Sequence, residues 1–258
     1  MKKAGPCLLA ALISLAAGCT TPEATEQPPP APASPPASIQ HVRTGEEKGP
    51  SAWRSQRASR PAKVMLDVPI IRQKPELKNG CEVTSLAMLL QYAGHDVDKL
   101  SLARQVRKDP EPLVQKNGDI KKWGDPNKGF VGDMTGARRG FAVYNKPLEE
   151  LLRRYVQERA VNLTGASYPQ LLDSVAAGHP VVIWTTGDFQ LPTEWESWHK
   201  DGKKVVAPFD EHAVLLVGYD GRYAYVNDPL TGVKQQRVAH AALKKSWEAL
   251  GRQAVSYR

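Results

Sequence analysis

The chain has 258 residues, 41% of them hydrophobic and 24% charged, and its formal net charge at pH 7 is +8. Two of the positive charges are Lys2 and Lys3 of an N-terminal signal, so +6 remains on a mature chain that also carries many acidic residues. Because no arginine-rich helix, zinc-ligand spacing or RNA-binding aromatic motif accompanies this charge, we expect no nucleic-acid partner. A solvated basic surface, or weak attraction to anionic envelope polymers, accounts for it.

Residues 1–18 have the order of an export signal. Two lysines precede an apolar run over residues 8–17, and small residues follow it. The stretch LAAGC resembles a bacterial lipobox, in which Cys19 would be lipidated and become the first mature residue; an ordinary cleaved signal peptide is the alternative. The apolar run is too short for a spanning helix, which needs about 20 residues. We therefore expect a protein in the bacterial cell envelope, with the membrane as a partner through a lipid on Cys19.

Residues 19–62 are predicted to form the lipidated cysteine and a disordered tether. The segment is dominated by Pro, Ala, Ser and Glu/Gln, with PPPAPASPPAS at its centre, and it has almost no large aliphatic residues. Such a composition cannot bury a core. Pro-rich chains favour an extended polyproline II helix of about 3.1 Å per residue, so the tether could hold a domain on the order of 100 Å from its anchor.

Residues 63–258 predict one domain in which helical patterns come early and strands mostly late. This order indicates an α+β fold with a helical lobe packed on an antiparallel sheet. The predicted helices run from about Cys81 to before Gly94, from Asp98 to about Arg107, from Pro147 to about Arg159, from Ser167 to Gly178 and from about Ala239 to Leu250. The predicted strands are 64–68, 181–185, 213–219, 222–227 and 233–238, with a hairpin turn at Asp220-Gly221 and a short strand at the C-terminus.

The segment 109–146 fits neither the helical nor the strand period. It holds six glycines, and an irregular stretch of this length in a compact domain is usually functional or mobile. A wall or lid of a groove is one interpretation. A surface insertion is the other.

Cys81 is the only thiol that the mature domain keeps apart from Cys19, so an intramolecular disulfide does not explain it. It begins an apolar helix in which Val83, Leu86 and Leu90 follow the helical template, so the helix is expected to be buried. The positive pole of the helix dipole and the unpaired N–H groups at that end favour a thiolate, the form that attacks carbonyls. A buried, inert cysteine is the alternative interpretation.

His212 and Asp228 are the candidate partners of Cys81. His212 begins HAVLLVGY, a strand that is apolar on both faces and therefore central, and it follows Cys81 by about the 130 to 150 residues typical of papain-type enzymes. Asp228 ends the partner strand, where its carboxylate could orient the imidazole and stabilise its cation. A strict two-residue turn at Asp220-Gly221 puts Asp228 on the other face, so the triad requires a three-residue loop or a β-bulge.

These residues resemble a family. The runs LDVPIIRQKPELKNGCEVTSLAMLL, GHPVVIW, EHAVLLVGYD and VNDP resemble papain-like cysteine peptidases related to bacteriocin-leader-processing (double-glycine) peptidases, specifically their stand-alone relatives. The resemblance implies that Cys81 is the nucleophile, His212 the general base and acid, and Asp228 the orienting group. It also implies that Gln73 and the Cys81 backbone N–H stabilise the oxyanion.

Other candidates concern the substrate groove and a metal. Trp184, Trp195, Trp198 and Gly80 are predicted to line the groove, although tryptophans more often simply pack. We expect no metal site, because the remaining histidines lack ligand spacing with Asp or Cys. We also expect Glu211 not to partner His212, since neighbouring strand residues face opposite sides.

The sequence thus predicts an envelope cysteine peptidase that cleaves peptide or isopeptide bonds of a peptide or protein substrate through an acyl-enzyme, without a cofactor. Two alternatives are acyl transfer to an amine or thiol, as in phytochelatin-synthase-like relatives of this fold, and a non-catalytic peptide-binding lipoprotein. The sequence predicts neither the substrate's side chains nor the oligomeric state.

Overall fold

The computed structural model describes residues 60–258, which belong to one compact unit, Ser55–Arg258. The predicted signal peptide, Cys19 and nearly all of the tether lie outside the described residues. Within those residues, no helix combines the length and the apolar character needed to cross a membrane.

The helices lie where the sequence predicts them, and side-chain caps set two of their starts. Asp98 accepts the backbone N–H groups of Leu100 and Ser101 at 2.8 and 2.9 Å. The side chain of Gln170 accepts the Ser167 N–H at 2.7 Å, as in a capping box. The helices are α1 (Cys81–Tyr92), α2 (Lys99–Gln105), α3 (Asn145–Val156, followed by a 3₁₀ turn), α4 (Tyr168–Ala176) and α5 (His240–Ala249).

The strands form one large antiparallel sheet and two smaller sheets. The large sheet has the order β12-β11-β10-β7-β13-β6, with β1 pairing along the end of β10. The described strands are β1 (Val64–Met65), β2 (Lys108–Asp109), β3 (Val114–Lys116), β4 (Asp119–Lys122), β5 (Phe130–Val131), β6 (Ala160–Asn162), β7 (Val181–Thr186), β8 (Trp195–Lys200), β9 (Lys203–Pro208), β10 (Glu211–Tyr219), β11 (Tyr223–Asp228), β12 (Val233–Ala239) and β13 (Ala254–Tyr257).

Helix α1 packs against β10 and β7 in the main hydrophobic core. Its first ten residues are all buried, as the apolar pattern predicts. The Ser85 hydroxyl donates to the carbonyl of Ala213 on β10 at 3.2 Å, which ties the first turns of the helix to the strand that begins with the predicted histidine. The α1 N-terminus and the start of β10 therefore lie side by side.

The β10–β11 hairpin turns one residue later than the sequence predicts. The Asp220 N–H donates to the Tyr223 carbonyl at 2.8 Å, so Gly221 and Arg222 form the two-residue turn. Asp220 Oδ1 also accepts the N–H groups of Arg222 and Tyr223, each at 2.8 Å, and holds the turn. This difference moves the strand register by two residues, which leaves every side chain on its predicted face.

A β-bulge in the β10–β11 pair then reverses the face of the sheet on which the side chains of β11 lie. Between Leu216 and Gly218 the pairing of β10 with β11 shifts by one residue. Beyond the bulge, residues of β11 lie on the opposite face from the one that an unbroken register would give them. Asp228 thereby shares a face with His212, and the predicted need for a register correction is confirmed.

The segment 109–146 is irregular over most of its length, as the sequence predicts, but it also forms short strands. It contains β3, β4 and β5, and β4 joins β8 and β9 in a four-stranded sheet through a parallel pairing of Lys122 with His199. A second hydrophobic core lies here, separate from the main one and rich in aromatic side chains. Its fully packed members are Ile120, Trp123, Val131, Phe141, Ala142, Trp198 and Ala207.

Candidate active site

Cys81 is the first residue of α1, as predicted, and it is buried but for 6% of its surface. Gly80 precedes it as the N-cap, where a Cβ would lie 2.6 Å from Leu77 Cβ, so only glycine fits this approach. Cys81 is a free thiol. Its Sγ donates to Glu82 Oε2 at 3.4 Å, and no hydrogen bond within residues 60–258 joins it to His212.

His212 and Asp228 form the pair that the sequence predicts. His212 Nε2 and Asp228 Oδ1 lie 2.7 Å apart, and both side chains are almost fully buried. The Leu230 N–H donates to the same Oδ1, and the Thr231 hydroxyl donates to Oδ2, each at 2.8 Å. Both carboxylate oxygens therefore have partners that fix the orientation of the imidazole.

The charge state of Asp228 follows from these contacts. Burial alone would raise the pKa of the Asp228 carboxyl, but the hydrogen bond and charge of His212, together with the Thr231 and Leu230 donors, hold that pKa below its usual value. An ionised carboxylate only accepts hydrogen bonds, so His212 Nε2 carries the proton that they share. The free Nδ1 is then the basic nitrogen of the ring.

Glu82 is a functional candidate that the sequence reasoning missed. Its side chain is fully buried beside Cys81, where Oε1 accepts the Val143 N–H at 2.6 Å and Oε2 accepts the thiol. Burial raises the pKa of the Glu82 carboxyl to about 7, against the lowering effect of the Val143 N–H. The available sequence signal was that Glu82 is the only charged residue in α1.

Glu211 is the second residue that the sequence reasoning missed. The hydrogen bond of His212 is made with Asp228. A carboxylate oxygen of Glu211, one of Glu82 and the Cys81 Sγ all lie within 4.8 Å of one another. Burial and the charges of Glu82 and Asp210 raise the pKa of the Glu211 carboxyl well above its usual value. Because neighbouring side chains of a strand face opposite sides, the sequence pattern did not place Glu211 near Cys81. The site, however, extends around both faces of β10 at its first residues.

The predicted resting thiolate is contradicted by this arrangement. Burial raises the pKa of the Cys81 thiol well above its ordinary value, and the charges of Glu82 and Glu211 raise it further. The backbone N–H of Ala213 lowers the pKa but does not offset these effects. The resting cysteine is therefore a neutral thiol that donates to Glu82, although it begins a helix.

Gln73 lies in the loop before α1 and is only 3% exposed. Its Nε2 donates to the Lys78 carbonyl at 2.9 Å, and its own backbone N–H donates to the Pro229 carbonyl at 2.8 Å. The second hydrogen of Nε2 remains available for an oxyanion, since a primary amide has two donors. Gln73 is thus anchored both to the nucleophile loop and to the strand end that carries Asp228.

Gln73, Cys81 and His212 line one cleft of about 470 Å³. Its other walls come from residues 140–141, from the loop between β7 and β8, and from the approach to β10. Gly140 makes the first wall possible, because a Cβ there would lie 2.1 Å from the Asp133 carbonyl oxygen. The volume suits a few residues of a peptide.

A sequence profile of the Peptidase C39-like family matches residues 65–255, a range that includes Gln73, Cys81, His212 and Asp228. The chain belongs to this family. The C39-like resemblance and the α+β papain-like fold predicted from the sequence are thereby confirmed.

Two relatives agree with this assignment. The C39-like chain is 40% identical over 192 residues to YvpB of Bacillus subtilis (strain 168), described as uncharacterised, and the alignment covers 74% of each protein. A crystal structure of a Bacillus anthracis protein, described as a "putative C39-like peptidase", matches with a TM-score of 0.70 and 42% identity, covering 76% of this chain and 97% of that one. The chain is accordingly a cysteine-peptidase-like protein.

The predicted groove residues of this C39-like domain need correction. Trp184 is fully buried in the main core, with its indole N–H donating to the Val143 carbonyl at 3.1 Å, and Trp198 is buried in the second core. Trp195 is 52% exposed but lines a different depression, beside Val206. Gly80 is buried beneath Cys81. None of the four lines the Cys81 cleft, because each belongs to packing or to another surface.

A thiol and two carboxylates within 4.8 Å could supply three ligands to a metal ion, where the sequence predicts no metal site. Cys81, Glu82 and Glu211 lack the histidine that usually accompanies thiolate in mixed zinc sites. Burial is the largest of the causes that raise the pKa values of all three groups.

Proposed function

We propose that this C39-like protein is a cysteine peptidase that hydrolyses peptide or isopeptide bonds through an acyl-enzyme on Cys81. The observation that carries the proposal is the shared cleft. The thiol at the N-terminus of α1 and the imidazole that Asp228 orients both open on it, and Gln73 stands at its edge. Nucleophile, base, orienting group and oxyanion donor are the parts that acyl transfer needs.

The chemistry would begin with rotation of the Cys81 thiol from Glu82 towards His212. Nδ1 of His212 takes the thiol proton as sulfur attacks the carbonyl carbon, and the Cys81 backbone N–H and Gln73 Nε2 stabilise the oxyanion. The C–N bond then breaks, and the imidazolium gives its proton to the leaving amine. Water, deprotonated by His212, hydrolyses the thioester and restores the thiol.

The test is cleavage of a diverse peptide library by the wild-type domain and by Cys81→Ala, with products identified by mass spectrometry. We expect a defined set of products from the wild type and none from the variant. An added amine such as glycinamide separates hydrolysis from transfer, since transfer would join the amine to the acyl fragment. A wild-type domain that binds peptides and cleaves none would be a peptide-binding module.

We further propose that the protein is exported and held in the cell envelope by a lipid on Cys19. The lipobox-like LAAGC followed by a Pro-rich tether supports this, and the tether would give the domain reach from the membrane. Mass spectrometry of the N-terminal peptide from the native host decides it. A diacylated Cys19 supports the anchor, and an unmodified N-terminus downstream of Cys19 leaves a protein without this anchor.

A further inference from the structure

Lys99 is a largely buried lysine whose ammonium group binds the loop that carries Gln73. Its side chain is only 13% exposed. The Nζ atom donates to the backbone carbonyls of Arg72 and Gln73, the second at 3.1 Å, and to Glu76 Oε2 at 2.7 Å. An ammonium has three N–H donors, so Lys99 uses all of them on this one loop.

The position of Lys99 in its own helix is electrostatically unfavourable. It is the first residue of α2, where the N–H groups and the helix dipole already place positive charge, and the first turn holds no acidic residue. Asp98, the N-cap, uses its carboxylate for the N–H groups of Leu100 and Ser101. Helix α2 therefore does not explain a lysine at this position, and a residue that breaks a local rule is a candidate for a role elsewhere in the protein.

The same loop is held on its other side by the turn that follows β11. The Gln73 N–H donates to the Pro229 carbonyl at 2.8 Å. The Arg72 side chain lies against Gly232, where a Cβ would collide with Arg72 Nε. Residues 72–73 therefore have two supports from outside the loop, the Lys99 ammonium and this turn, and the loss of Lys99 would leave only the turn.

We propose that Lys99 is a positioning residue, which holds the carbonyls of Arg72 and Gln73 and so aims the free N–H of Gln73 Nε2 at the oxyanion. Within residues 60–258, the Gln73 side chain has one hydrogen bond, from Nε2 to the Lys78 carbonyl at 2.9 Å, and its Oε1 has no partner. The placement of the amide therefore depends on the placement of its backbone. A donor stabilises an oxyanion only when it is aimed at it in advance. This inference rests on the proposed peptidase function and adds a residue that does not line the cleft.

The kinetic test is Lys99→Met in the full-length protein, because methionine keeps an unbranched apolar side chain and removes the ammonium. We expect kcat for a cleaved peptide to fall by about 10-fold and KM to change by less than about 2-fold, since the amide remains but is less well aimed. Lys128→Met is the matched control. Lys128 also forms an ion pair, with Asp201 at 2.6 Å, but both side chains are exposed and neither lines the cleft, so this variant should keep the wild-type kcat.

A double variant tests whether Lys99 acts through Gln73. Added to Gln73→Ala, Lys99→Met should change kcat by less than about 2-fold, because the amide that it positions is already absent. A general disturbance of the cleft would instead lower kcat by the same factor in both backgrounds. A wild-type kcat in Lys99→Met, or losses that multiply in the double variant, would overturn the proposal.

A second measurement does not depend on catalysis. Hydrogen exchange followed by NMR reports how firmly the loop is held, through the backbone N–H groups of Gln73 and of Leu77, which donates to the Gln73 carbonyl at 3.0 Å. We expect both to exchange about 10-fold faster in Lys99→Met, and the Val143 N–H, which lies outside the loop, to keep its wild-type rate. Unchanged exchange at Gln73 would overturn the role of Lys99. If the wild type cleaves no peptide, the peptidase proposal fails, while these exchange rates still decide whether Lys99 holds Gln73.

Discussion

The two sides of the site differ in how fully their hydrogen bonds are made. On the sheet side, His212 and both oxygens of Asp228 have partners, and the bulged pair of strands β10 and β11 carries them. The other side, called the helix side below, consists of Cys81 and Glu82 of α1 together with Glu211, which lies next to them at the start of β10. There the Cys81 thiol donates to Glu82, and Glu211 keeps an unpaired oxygen. The base and its orienting group are thus already hydrogen-bonded to each other, whereas the nucleophile is a thiol bonded to Glu82 and not to His212.

The difference has an electrostatic cause. On the sheet side the hydrogen bonds and charge of His212 keep Asp228 ionised despite burial. On the helix side three acidic groups share a buried space, so the pKa values of Cys81, Glu82 and Glu211 are all raised. A helix N-terminus favours a thiolate only where burial and neighbouring carboxylates do not outweigh it.

The largest expected effects come from two single substitutions, one on each side of the site. Cys81→Ala and His212→Ala should each lower kcat by a factor on the order of 10⁶, because neither has a substitute in the proposed mechanism. Steady-state cleavage of a peptide from the library measures it. Trp195→Ala, an exposed change outside the cleft, is the control and should keep wild-type activity.

Asp228→Ala tests how much the preassembled sheet side contributes. It removes orientation and charge support but leaves nucleophile and base, so its loss of kcat should be about 10-fold to 100-fold milder than that of His212→Ala. Added to Cys81→Ala, it should cost nothing further, because the members act as a unit. A double variant slower than Cys81→Ala alone would show that Asp228 acts outside the triad.

Gln73→Ala should lower kcat by about 100-fold to 1000-fold, with a smaller change in KM, if its Nε2 binds the oxyanion. Gln73→Glu is the informative companion. It keeps the size of the side chain and removes the donor, so it should be at least as slow as the alanine variant. Equal kcat for Gln73→Glu and the wild type would remove Gln73 from the oxyanion site.

The smallest expected effect is a pH-dependent change in the free energy of unfolding. It tests the helix side of the site alone, because it comes from Glu82. The pKa of Glu82 is raised from 4.5 to about 7 in the folded chain. The folded chain therefore binds a proton that the unfolded chain has released between those pH values, so stability falls as pH rises through the window. Relative to Glu82→Gln, the wild type should lose about 3 kcal/mol of unfolding free energy between pH 4 and pH 8.

Urea denaturation at several pH values measures this difference, with Glu158→Gln, an exposed change, as the control that should show no pH-dependent difference. The same Glu82→Gln variant should speed alkylation of Cys81 by iodoacetamide at pH 7, since removing the charge lowers the thiol pKa. Alkylation at the wild-type rate, with an unchanged pH profile of stability, would show that Glu82 does not control the thiol.

The sequence predicts the sheet side better than the helix side. The strand HAVLLVGY is apolar on both faces, and that pattern alone places it centrally with His212 at its start. The sequence also predicts that the pairing of β10 with β11 must shift by one residue to bring Asp228 to the His212 face. The position of the bulge near Val217 and the turn at Gly221–Arg222 could not be predicted, because they depend on pairing on both sides of β10.

Glu82 and Glu211 could not be assigned from local pattern, because what defines them is distant in sequence. Glu82 is buried only because it reaches the Val143 N–H, 61 residues away. The hairpin of β8 and β9 was missed because its polar, half-exposed residues lack a clear alternation. Trp184, in contrast, lies in a strand buried on both faces, and that pattern indicates core packing in place of the predicted groove.

The most direct test of the account is to trap the acyl-enzyme. A peptide identified from the library is mixed with the wild-type domain, quenched in acid within milliseconds to seconds, and the peptide that contains Cys81 is mapped by mass spectrometry. The account predicts a transient mass increase on Cys81 equal to the acyl fragment, and neither adduct nor cleavage in Cys81→Ala. Cleavage by Cys81→Ala at the wild-type rate would contradict it.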